Sequence, residues 1–288
     1  MTATPDDAGV DPAVERGLDE IYTHGHHEAV LRSHRWRTAE NSAAYLLPHL
    51  DAGTTLLDVG CGPGTLTADL AARVAPGRVL AVDTSPEVVE QARDHAAERG
   101  VDNLDVVAGD FRDLDIRHGG FDVVHAHQVL QHLRDPVGAL RHMAHLARPG
   151  GIVAARDGDY GAMVWSPASD ALEEWRALYL AVTRRNGGEA NAGRHLLGWA
   201  QQAGLRDVTY TTSTWTFATP NERRWWAELW ADRVERSALA TQAVEYGLAT
   251  AGDLAELAAG WREWAARPDG VFVVLHGELV GHAATLIV

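Results

Sequence analysis

The stretch LLDVGCGPGTLTADL, from Leu56 to Leu70, decides the fold. An apolar run ends in three glycines, Gly60, Gly62 and Gly64, and the chain then continues with a helical pattern. Glycines let the backbone approach a ligand closely, and the first turn of a following helix favours a negative group, either a carboxylate or a phosphate. The stretch therefore predicts a strand, a ligand-binding loop and a helix.

Strand-like and helix-like segments alternate from just after Gly53 up to about residue 155. Short apolar, β-branched runs separated by amphipathic segments are typical of a parallel sheet that is covered by helices on both faces. Further along the chain we predict helices over 170–203, a strand over 207–217, a mostly helical segment over 221–267 and a final strand over 271–280.

The composition is that of an ordinary globular chain of 288 residues, with 46% hydrophobic and 23% charged residues. The formal net charge is −15 and there is no block of Lys or Arg, so we predict no nucleic-acid partner. No apolar run approaches the roughly 18 residues of a spanning helix, and the N-terminus lacks a secretory pattern. We therefore predict a cytoplasmic protein without a membrane partner. The single cysteine, Cys61, excludes an intramolecular disulfide and a cysteine-built zinc site.

Acidic residues end the next two strands. Asp83 ends the second strand 23 residues after Gly60, where a carboxylate can accept both ribose hydroxyls of an adenosine. This position argues against a 2′-phosphorylated cofactor. Asp110 and Phe111 follow the third strand, where a carboxylate can take the adenine amino proton and a ring can stack on the base. Because parallel strand ends share one crevice, the pattern predicts a nucleoside site.

The glycine loop departs from the dinucleotide fingerprint G-x-G-x-x-G. The third glycine of that pattern would stand where this chain has Thr65. A nicotinamide-dependent oxidoreductase remains an alternative, but it leaves Asp110 and Phe111 without a role.

Five stretches in register resemble the class I S-adenosylmethionine-dependent methyltransferases of the UbiE-like, small-molecule group. They are LLDVGCGPGTLT, VLAVDTSPEVVEQAR, VVAGDFRDL, FDVVHAHQVLQHLRDP and LARPGGIVAARD, and together they cover about residues 54–157. The resemblance implies that S-adenosylmethionine is the cofactor and that a small molecule accepts the methyl group. It leaves open a homodimer, and a non-catalytic S-adenosylmethionine-binding protein on the same fold is a second alternative.

The resemblance also implies the residues of the donor site. The two loop glycines line the methionine part, acidic strand ends hold the ribose and the adenine, and a histidine lies beside the sulfonium. The implied set is Tyr22, Gly60, Gly62, Asp83, Thr84, Asp110, Phe111 and His127.

We accordingly expect an α/β fold with a Rossmann-like, doubly wound, mostly parallel sheet of seven strands. Residues 1–50, which have a helical pattern from about residue 11, are expected to form a lid over the cofactor. The core is expected to comprise residues 51–217 and 268–288. Residues 218–267 are too long for a simple connection, so we predict a helical cap over the substrate site.

A histidine is the expected base if the acceptor must lose a proton, because its pKa lies near neutrality. His127 is the first candidate and His26, in the lid, is the second. We expect the pKa of His127 to lie below its ordinary value, because an imidazolium beside a sulfonium would be repelled. Asp157, Tyr160 and Trp165, near the end of the fifth strand, are the expected substrate contacts.

Other conspicuous residues have plainer interpretations. Asp58 is expected to orient the glycine loop by accepting backbone N–H groups, and Cys61 to fill space. We predict no metal site, because the histidines at 24–27 and 142–145 lack suitable partners. Five tryptophans are expected to be mainly core, with an aromatic wall over the substrate as the alternative: Trp225, Trp226, Trp230, Trp261 and Trp264.

Overall fold

The computed structural model describes Thr23, residues 33–116 and residues 119–284. Within these residues it has one sheet of eight strands with helices on both faces. The strands are β1 (Leu56–Val59), β2 (Val79–Asp83), β3 (Leu104–Ala108), β4 (Phe121–His127), β5 (Ala147–Gly158), β6 (Val164–Ser166), β7 (Arg206–Phe217) and β8 (Val271–His282). The helices are α1 (Ala39–Ser42), α2 (Thr65–Val74), α3 (Pro86–Glu98), α4 (Pro136–Leu146), α5 (Asp170–Asn186), α6 (Ala192–Ala203), α7 (Pro220–Arg236), α8 (Ala238–Glu245) and α9 (Ala251–Ala266).

The sheet has the order β3-β2-β1-β4-β5-β8-β6, and β7 pairs with β8. Strands β1 to β5 are parallel, whereas β8 runs antiparallel to β5 and β7. The predicted Rossmann-like, mostly parallel sheet is confirmed, and the short β6 is the strand that the prediction lacks. The strand order reverses between β1 and β4, and such a reversal opens a crevice at the carboxyl ends of the strands.

Helix starts follow local sequence signals. The hydroxyl of Ser85 accepts the backbone N–H of Val88, and Pro86 occupies the first turn of α3. Asp135 accepts the backbone N–H of Gly138 in the same way, again ahead of a proline. These caps satisfy N–H groups that lack partners within the helix. Helix α3 therefore begins three residues after the end of β2, whereas a 3-10 turn over Leu130–His132 separates β4 from α4.

The helices of 220–266 pack with α5 around a second hydrophobic core that is separate from the sheet core. Trp175, Trp230 and Trp261 are completely buried there, and their rings meet mostly edge to face. Trp226 and Trp264 are also buried, and Trp225 is partly buried against the same cluster. The core interpretation is therefore confirmed for Trp230, Trp261 and Trp264, whereas Trp226 is buried in this core and also lines the cavity described below.

The covering segment, residues 33–50, is less regular than the helical pattern predicts. Thr38 caps a new helix of four residues, and Pro48 lies in a single 3-10 turn. Ala39 and Ala43 nevertheless belong to the core beside the sheet, so the segment is anchored. Tyr22, His24, His26 and His27 lie outside the described residues. No helix within the described part of the chain has the length and apolar character needed to cross a membrane.

Candidate functional site

The glycine loop requires its glycines for their backbone conformation. Gly60, Gly62 and Gly64 have φ angles of 69°, 56° and 78°, in the left-handed region that side chains disfavour. A Cβ on Gly60 would lie 2.5 Å from Cγ2 of Val129, whereas a Cβ on Gly62 would meet only Nδ1 of His34, at 3.4 Å. The loop is therefore packed at its base, and its middle faces the covering segment.

Asp83 shapes this loop as well as facing the crevice. Its Oδ2 accepts the backbone N–H of Gly62 at 3.0 Å, and its Oδ1 accepts that of Ser85 at 3.0 Å. A carboxylate offers about four acceptor positions, so each oxygen retains one for a hydroxyl. The residue therefore fits a ribose diol, and it carries a structural task that the sequence does not reveal. The neighbouring Thr84 is exposed at the same strand end.

The prediction that Asp58 orients the glycine loop is wrong. Its Oδ2 accepts the hydroxyl of Thr67 at 2.5 Å, and its Oδ1 lies 2.8 Å from Nδ1 of His125. Asp58 and His125 are cross-strand neighbours in β1 and β4, so the buried carboxylate faces the next strand and the first turn of α2. It joins these three elements, while Asp83 takes the loop amide.

The third strand end contains a residue that the sequence interpretation missed. Arg112 donates to Asp110 through its backbone N–H at 2.8 Å and through Nε at 2.9 Å. Burial would raise the pKa of Asp110, but the hydrogen bonds and charge of Arg112 outweigh it and hold the pKa below its usual value. Because its pKa is lowered, the Asp110 carboxylate stays ionised and could accept a hydrogen bond from an adenine amino group.

Phe111 differs from the expectation of a stacking ring. Its side chain is only 5% exposed and belongs to the core between the sheet and α4. The ring meets His142 edge to face, with 5.4 Å between centroids. This placement does not support stacking of the Phe111 ring on a base, because the ring is packed against other core side chains.

His127 is the last residue of β4, and its side chain is buried. It is 5% exposed, and neither ring nitrogen has a hydrogen-bond partner within the described chain. Burial, followed by the charges of Arg37 and Arg156, holds the pKa of His127 well below its usual value. The predicted direction is confirmed, but burial and two guanidinium groups are sufficient to cause it. The imidazole is therefore neutral.

A buried polar layer that the sequence interpretation missed surrounds His127. Arg156, its parallel neighbour in β5, pairs with Glu278 of β8 at 3.2 Å, and both side chains are nearly inaccessible. The guanidinium of Arg156 also lies 5.0 Å from the ring centroid of Trp215. Burying two charges is tolerated here because they pair with one another, and removal of either would leave the other uncompensated.

Gln128 connects this layer to the covering segment. Its φ of 55° is unusual for a residue with a side chain. Its Oε1 accepts from Nη2 of Arg37 at 2.7 Å, and its Nε2 donates to Nε2 of His276 at 3.0 Å. Nε1 of Trp215 donates to the backbone carbonyl of Asn41 at 2.7 Å, which adds a second link to the same segment.

Arg37, Gln128 and Trp215 border a narrow cavity under the covering segment. Tyr160 lines it, as the substrate prediction requires, and His34 lines it from the direction of the glycine loop. Among the described residues, those that line it are Ser33, His34, Arg37, Gln128, His132, Gly158, Tyr160, Met163, Trp215, Trp226, Arg233 and Val274.

Two of the predicted substrate contacts do not line this cavity. Asp157 is completely buried, and its Oδ1 accepts the backbone N–H of Gln131 at 3.1 Å. Burial outweighs such hydrogen bonds and raises its pKa to about 7. Trp165 stacks on Phe272 with 5.6 Å between centroids, and the guanidinium of Arg176 lies 4.6 Å from its ring. Asp157 is thus held in the protein interior, and Trp165 is partly buried against the second core, so neither lines the cavity.

Metal and thiol chemistry find no support in the described residues. Within them, no group of three His, Cys, Asp or Glu side chains is close enough to hold a metal ion. Burial raises the pKa of the Cys61 thiol well above its usual value, and the nearby carboxylates of Asp83 and Asp58 add to this. Cys61 is thus a neutral filler of the loop, as expected.

The family model described as a methyltransferase domain matches residues 50–204. An uncharacterised methyltransferase of Schizosaccharomyces pombe is 30% identical over 279 residues, which cover 93% of this chain and 98% of the relative. A ubiquinone biosynthesis O-methyltransferase of Xanthomonas euvesicatoria pv. vesicatoria is 34% identical over 160 residues, or 54% of this chain and 64% of the relative.

Solved structures share the fold at lower sequence identity. The YcgJ protein of Bacillus subtilis aligns with a TM-score of 0.55 and 15% identity, over 85% of this chain and 99% of that chain. The cyclase SpnF aligns with a TM-score of 0.51 and 20% identity, over 91% of this chain and 87% of that chain. A likeness at this level concerns the fold alone, and it includes a protein whose name is not that of a methyltransferase.

Proposed function

The chain belongs to the methyltransferase-domain family and uses S-adenosylmethionine as its methyl donor, and we propose that it methylates a small molecule bound in the cavity beside the glycine loop. One observation carries this proposal. Nδ1 of His34 lies 3.4 Å from the position of a Cβ on Gly62, and His34 also lines the cavity. The loop assigned to the donor and the cavity assigned to the acceptor therefore share a wall.

Four residues are proposed to hold the donor. Gly60 and Gly62 leave room for the amino-acid part, whose carboxylate suits the first turn of α2. Asp83 accepts the ribose hydroxyls, and Asp110 accepts the adenine amino group. The lone pairs that Asp83 retains beside its bonds to Gly62 and Ser85 support this assignment.

The chemistry follows from the two neighbouring sites. S-adenosylmethionine supplies a methyl group that its sulfonium already activates. The protein must hold the acceptor in line with that group and exclude water, and positioning of this kind can supply roughly 7–11 kcal/mol. If the acceptor carries a proton on its attacking atom, the neutral ring of His127 can accept it, because its nitrogens have no other partner in the described chain. His26 remains the second candidate for this task.

We propose that residues 51–217 and 268–288 form the core, that residues 1–50 act as a lid and that residues 218–267 act as a cap. The lid and the cap together enclose the acceptor against the core. Ser33, His34 and Arg37 line the cavity from the lid, and Trp226 and Arg233 line it from α7. These contacts support an acceptor site that is complete only when both segments are in place.

Deleting residues 1–37 is expected to lower turnover by about tenfold, because closure excludes water and completes the site. The deletion keeps Thr38, which caps α1, and it keeps the buried Ala39. It removes the bond from Arg37 to Gln128 and the contact of Ser33 with Arg233. Turnover is measured with labelled donor, and circular dichroism verifies the fold. Unchanged turnover would contradict the lid assignment.

Replacing Gly62 with valine is expected to weaken binding of S-adenosylhomocysteine by about tenfold, because the branched side chain would occupy space above the loop. Gly100→Val is the matched control. Gly100 has a φ of 65° and nothing within 4 Å of an added Cβ, so it carries the same backbone strain away from the loop. Calorimetry compares the two variants, and equal affinities would remove the loop from the donor site.

The function is tested first by thermal shift with S-adenosylhomocysteine and with NAD, since a ligand that binds the folded state raises the melting temperature. Stabilisation by NAD alone would favour the oxidoreductase alternative. Incubation of a cell extract with the enzyme and labelled donor, followed by mass spectrometry, then identifies the methylated product. Binding of the donor without any labelled small molecule would favour the non-catalytic alternative.

A further inference from the structure

Gln128 directly follows His127, and its backbone is strained. Its φ of 55° lies in the left-handed region, and among the described residues other than glycine only Asp207 shares this feature. The backbone N–H of Gln128 donates to the carbonyl of Arg156 at 2.7 Å, so the residue is still tied to the sheet. Strain of this kind persists only where the surroundings hold it, and it is concentrated at functional sites. The side chain of Gln128 is therefore expected to have a task.

The side-chain amide of Gln128 is oriented by the covering segment. A guanidinium has only donors, so Oε1 of Gln128 faces Nη2 of Arg37, at 2.7 Å, and the amide nitrogen faces Nε2 of His276, at 3.0 Å. Burial, followed by the charges of Arg156 and Arg37, holds the pKa of His276 well below its usual value, so this ring is neutral. Nε2 of His276 therefore accepts the hydrogen bond, and the single ring proton lies on Nδ1.

The contact continues from His276 toward His127 through one indole ring. The ring centroids of His276 and Trp215 are 4.3 Å apart, and those of Trp215 and His127 are 6.0 Å apart. Nε1 of Trp215 donates to the carbonyl of Asn41 at 2.7 Å, so the covering segment holds this indole as well. His276 and Trp215 are both buried, and close packing couples the position of one ring to that of the other.

We infer that Gln128 is a positioning residue for His127. Its amide links the covering segment to His276 and Trp215, which pack beside the imidazole, so His127 is held in place only when the covering segment is in place. Gln128 takes no part in the chemistry itself. This inference rests on the proposed function, because it takes the covering segment and His127 to serve methyl transfer.

Nuclear magnetic resonance tests the structural half of the inference. The full chain is saturated with S-adenosylhomocysteine at about pH 8, where histidines of ordinary pKa are neutral. The ring proton of His276 is expected on Nδ1. The indole N–H of Trp215 should exchange with solvent about tenfold faster in Gln128→Gly than in the wild type, because the ring is held less firmly. Gln128→Gly is expected to fold, since glycine adopts a positive φ without strain. A proton on Nε2 of His276, or equal exchange of the indole, overturns the inference.

Methyl transfer tests the functional half. The rate at which label passes from S-adenosylmethionine to the small molecules of a cell extract is compared between variants. Gln128→Gly is expected to be about tenfold slower than the wild type, because a small misplacement of a reacting group is costly, while its affinity for S-adenosylhomocysteine changes less than about twofold. A wild-type rate, or a loss of affinity as large as the loss of rate, overturns the inference.

Gln91→Ala is the matched control. Gln91 lies on α3, and its Oε1 accepts from Nη2 of Arg35, also in the covering segment, at 3.2 Å in an exposed position. This variant should transfer label at the wild-type rate. A loss as large as that of Gln128→Gly would show that any bond to the covering segment has the same effect, and it would overturn the specific role of Gln128.

A double-mutant cycle identifies Arg37 as the partner of Gln128. Arg37 makes further contacts, so the effect of Arg37→Ala is measured in the wild type and again in Gln128→Gly. If Arg37 acts through Gln128, the substitution should slow methyl transfer less in Gln128→Gly than in the wild type. An equal effect in both backgrounds overturns the inference.

The same measurements separate the two proposals. A wild-type chain that fails to bind S-adenosylhomocysteine, or that labels no small molecule, contradicts the proposed function, and the inference falls with it. A chain that binds S-adenosylhomocysteine and transfers label, but does not respond to Gln128→Gly, contradicts the inference alone.

Discussion

Replacing Asp83 with alanine is expected to weaken binding of S-adenosylhomocysteine by about 10²-fold or more. Two ribose hydroxyls lose their acceptor, and each hydrogen bond to a charged group contributes about 1.5–3 kcal/mol. The substitution also removes two hydrogen bonds to the backbone. Oδ2 of Asp83 accepts the N–H of Gly62 and Oδ1 accepts the N–H of Ser85, each at 3.0 Å. The loss should therefore exceed that of a ligand contact alone. Isothermal titration calorimetry measures it directly.

Two controls separate the ligand contact from the loop contact. Asp83→Asn keeps one oxygen for a loop amide but loses the charge, so its affinity should lie between those of the wild type and Asp83→Ala. Asp105→Ala removes an exposed carboxylate of β3 that pairs with Arg78, and it should bind as the wild type does. Wild-type affinity in Asp83→Ala would refute the ribose assignment.

The residues proposed for the donor site could be found from the sequence because their signals are local. A glycine loop follows β1, and an acidic residue ends β2 and another follows β3, so strand ends in a parallel sheet bring them together without knowledge of register. What stayed hidden was the second partner of each residue. Asp83 holds Gly62, and Asp110 is held by Arg112 two positions on, a spacing that could have revealed that pair.

The cavity proposed as the acceptor site could not be predicted because it depends on long-range strand pairing. Gln128 meets His276 across 148 positions of the chain, and Arg156 meets Glu278 across 122, because β8 lies antiparallel beside β5. The register of β8 against β5 cannot be read from the sequence. Trp215 reaches the cavity from β7, which pairs with the same strand.

Asp157 and Trp165 lie away from the cavity for two different reasons. The apolar run GIVAA suggests a strand that ends before Arg156, but β5 continues to Gly158. Asp157 therefore lies within the strand, where it faces the interior and accepts a backbone N–H. Trp165 lies in β6, and pairing with β8 places its ring on Phe272. Both residues are close in sequence to the end of a central strand, but neither side chain points into the crevice.

Replacing His127 with alanine is expected to lower the rate of methyl transfer in a single turnover by about 10²-fold, the lower end of the range for a general base. The lower end is expected because a depressed pKa makes a weaker base. Affinity for S-adenosylhomocysteine should change little, since the proposed donor contacts lie on the first three strands. His127→Asn keeps a polar side chain but has no basic nitrogen. If His127 accepts a proton, this variant should transfer the methyl group as slowly as His127→Ala. If His127 only shapes the site, the variant should keep a rate close to that of the wild type.

The pH dependence decides between these roles, and its sign follows from the structure. Burial and the charges of Arg37 and Arg156 hold the pKa of His127 well below its ordinary value of about 6.5, so the ring stays neutral as the pH falls through 6.5. The wild-type rate should therefore show no loss centred at pH 6.5, and a loss of rate attributable to His127 belongs at more acidic pH.

The stability of the fold should depend on pH through the same residue. In the unfolded chain His127 binds a proton below about pH 6.5, whereas the folded ring does not, so His127 makes the folded state less stable as the pH falls. His127→Ala should lose this share of the acid sensitivity together with the rate. A variant that loses the sensitivity but keeps the wild-type rate across the same pH range would leave His127 as a buried neutral wall and move the search for a base to His26.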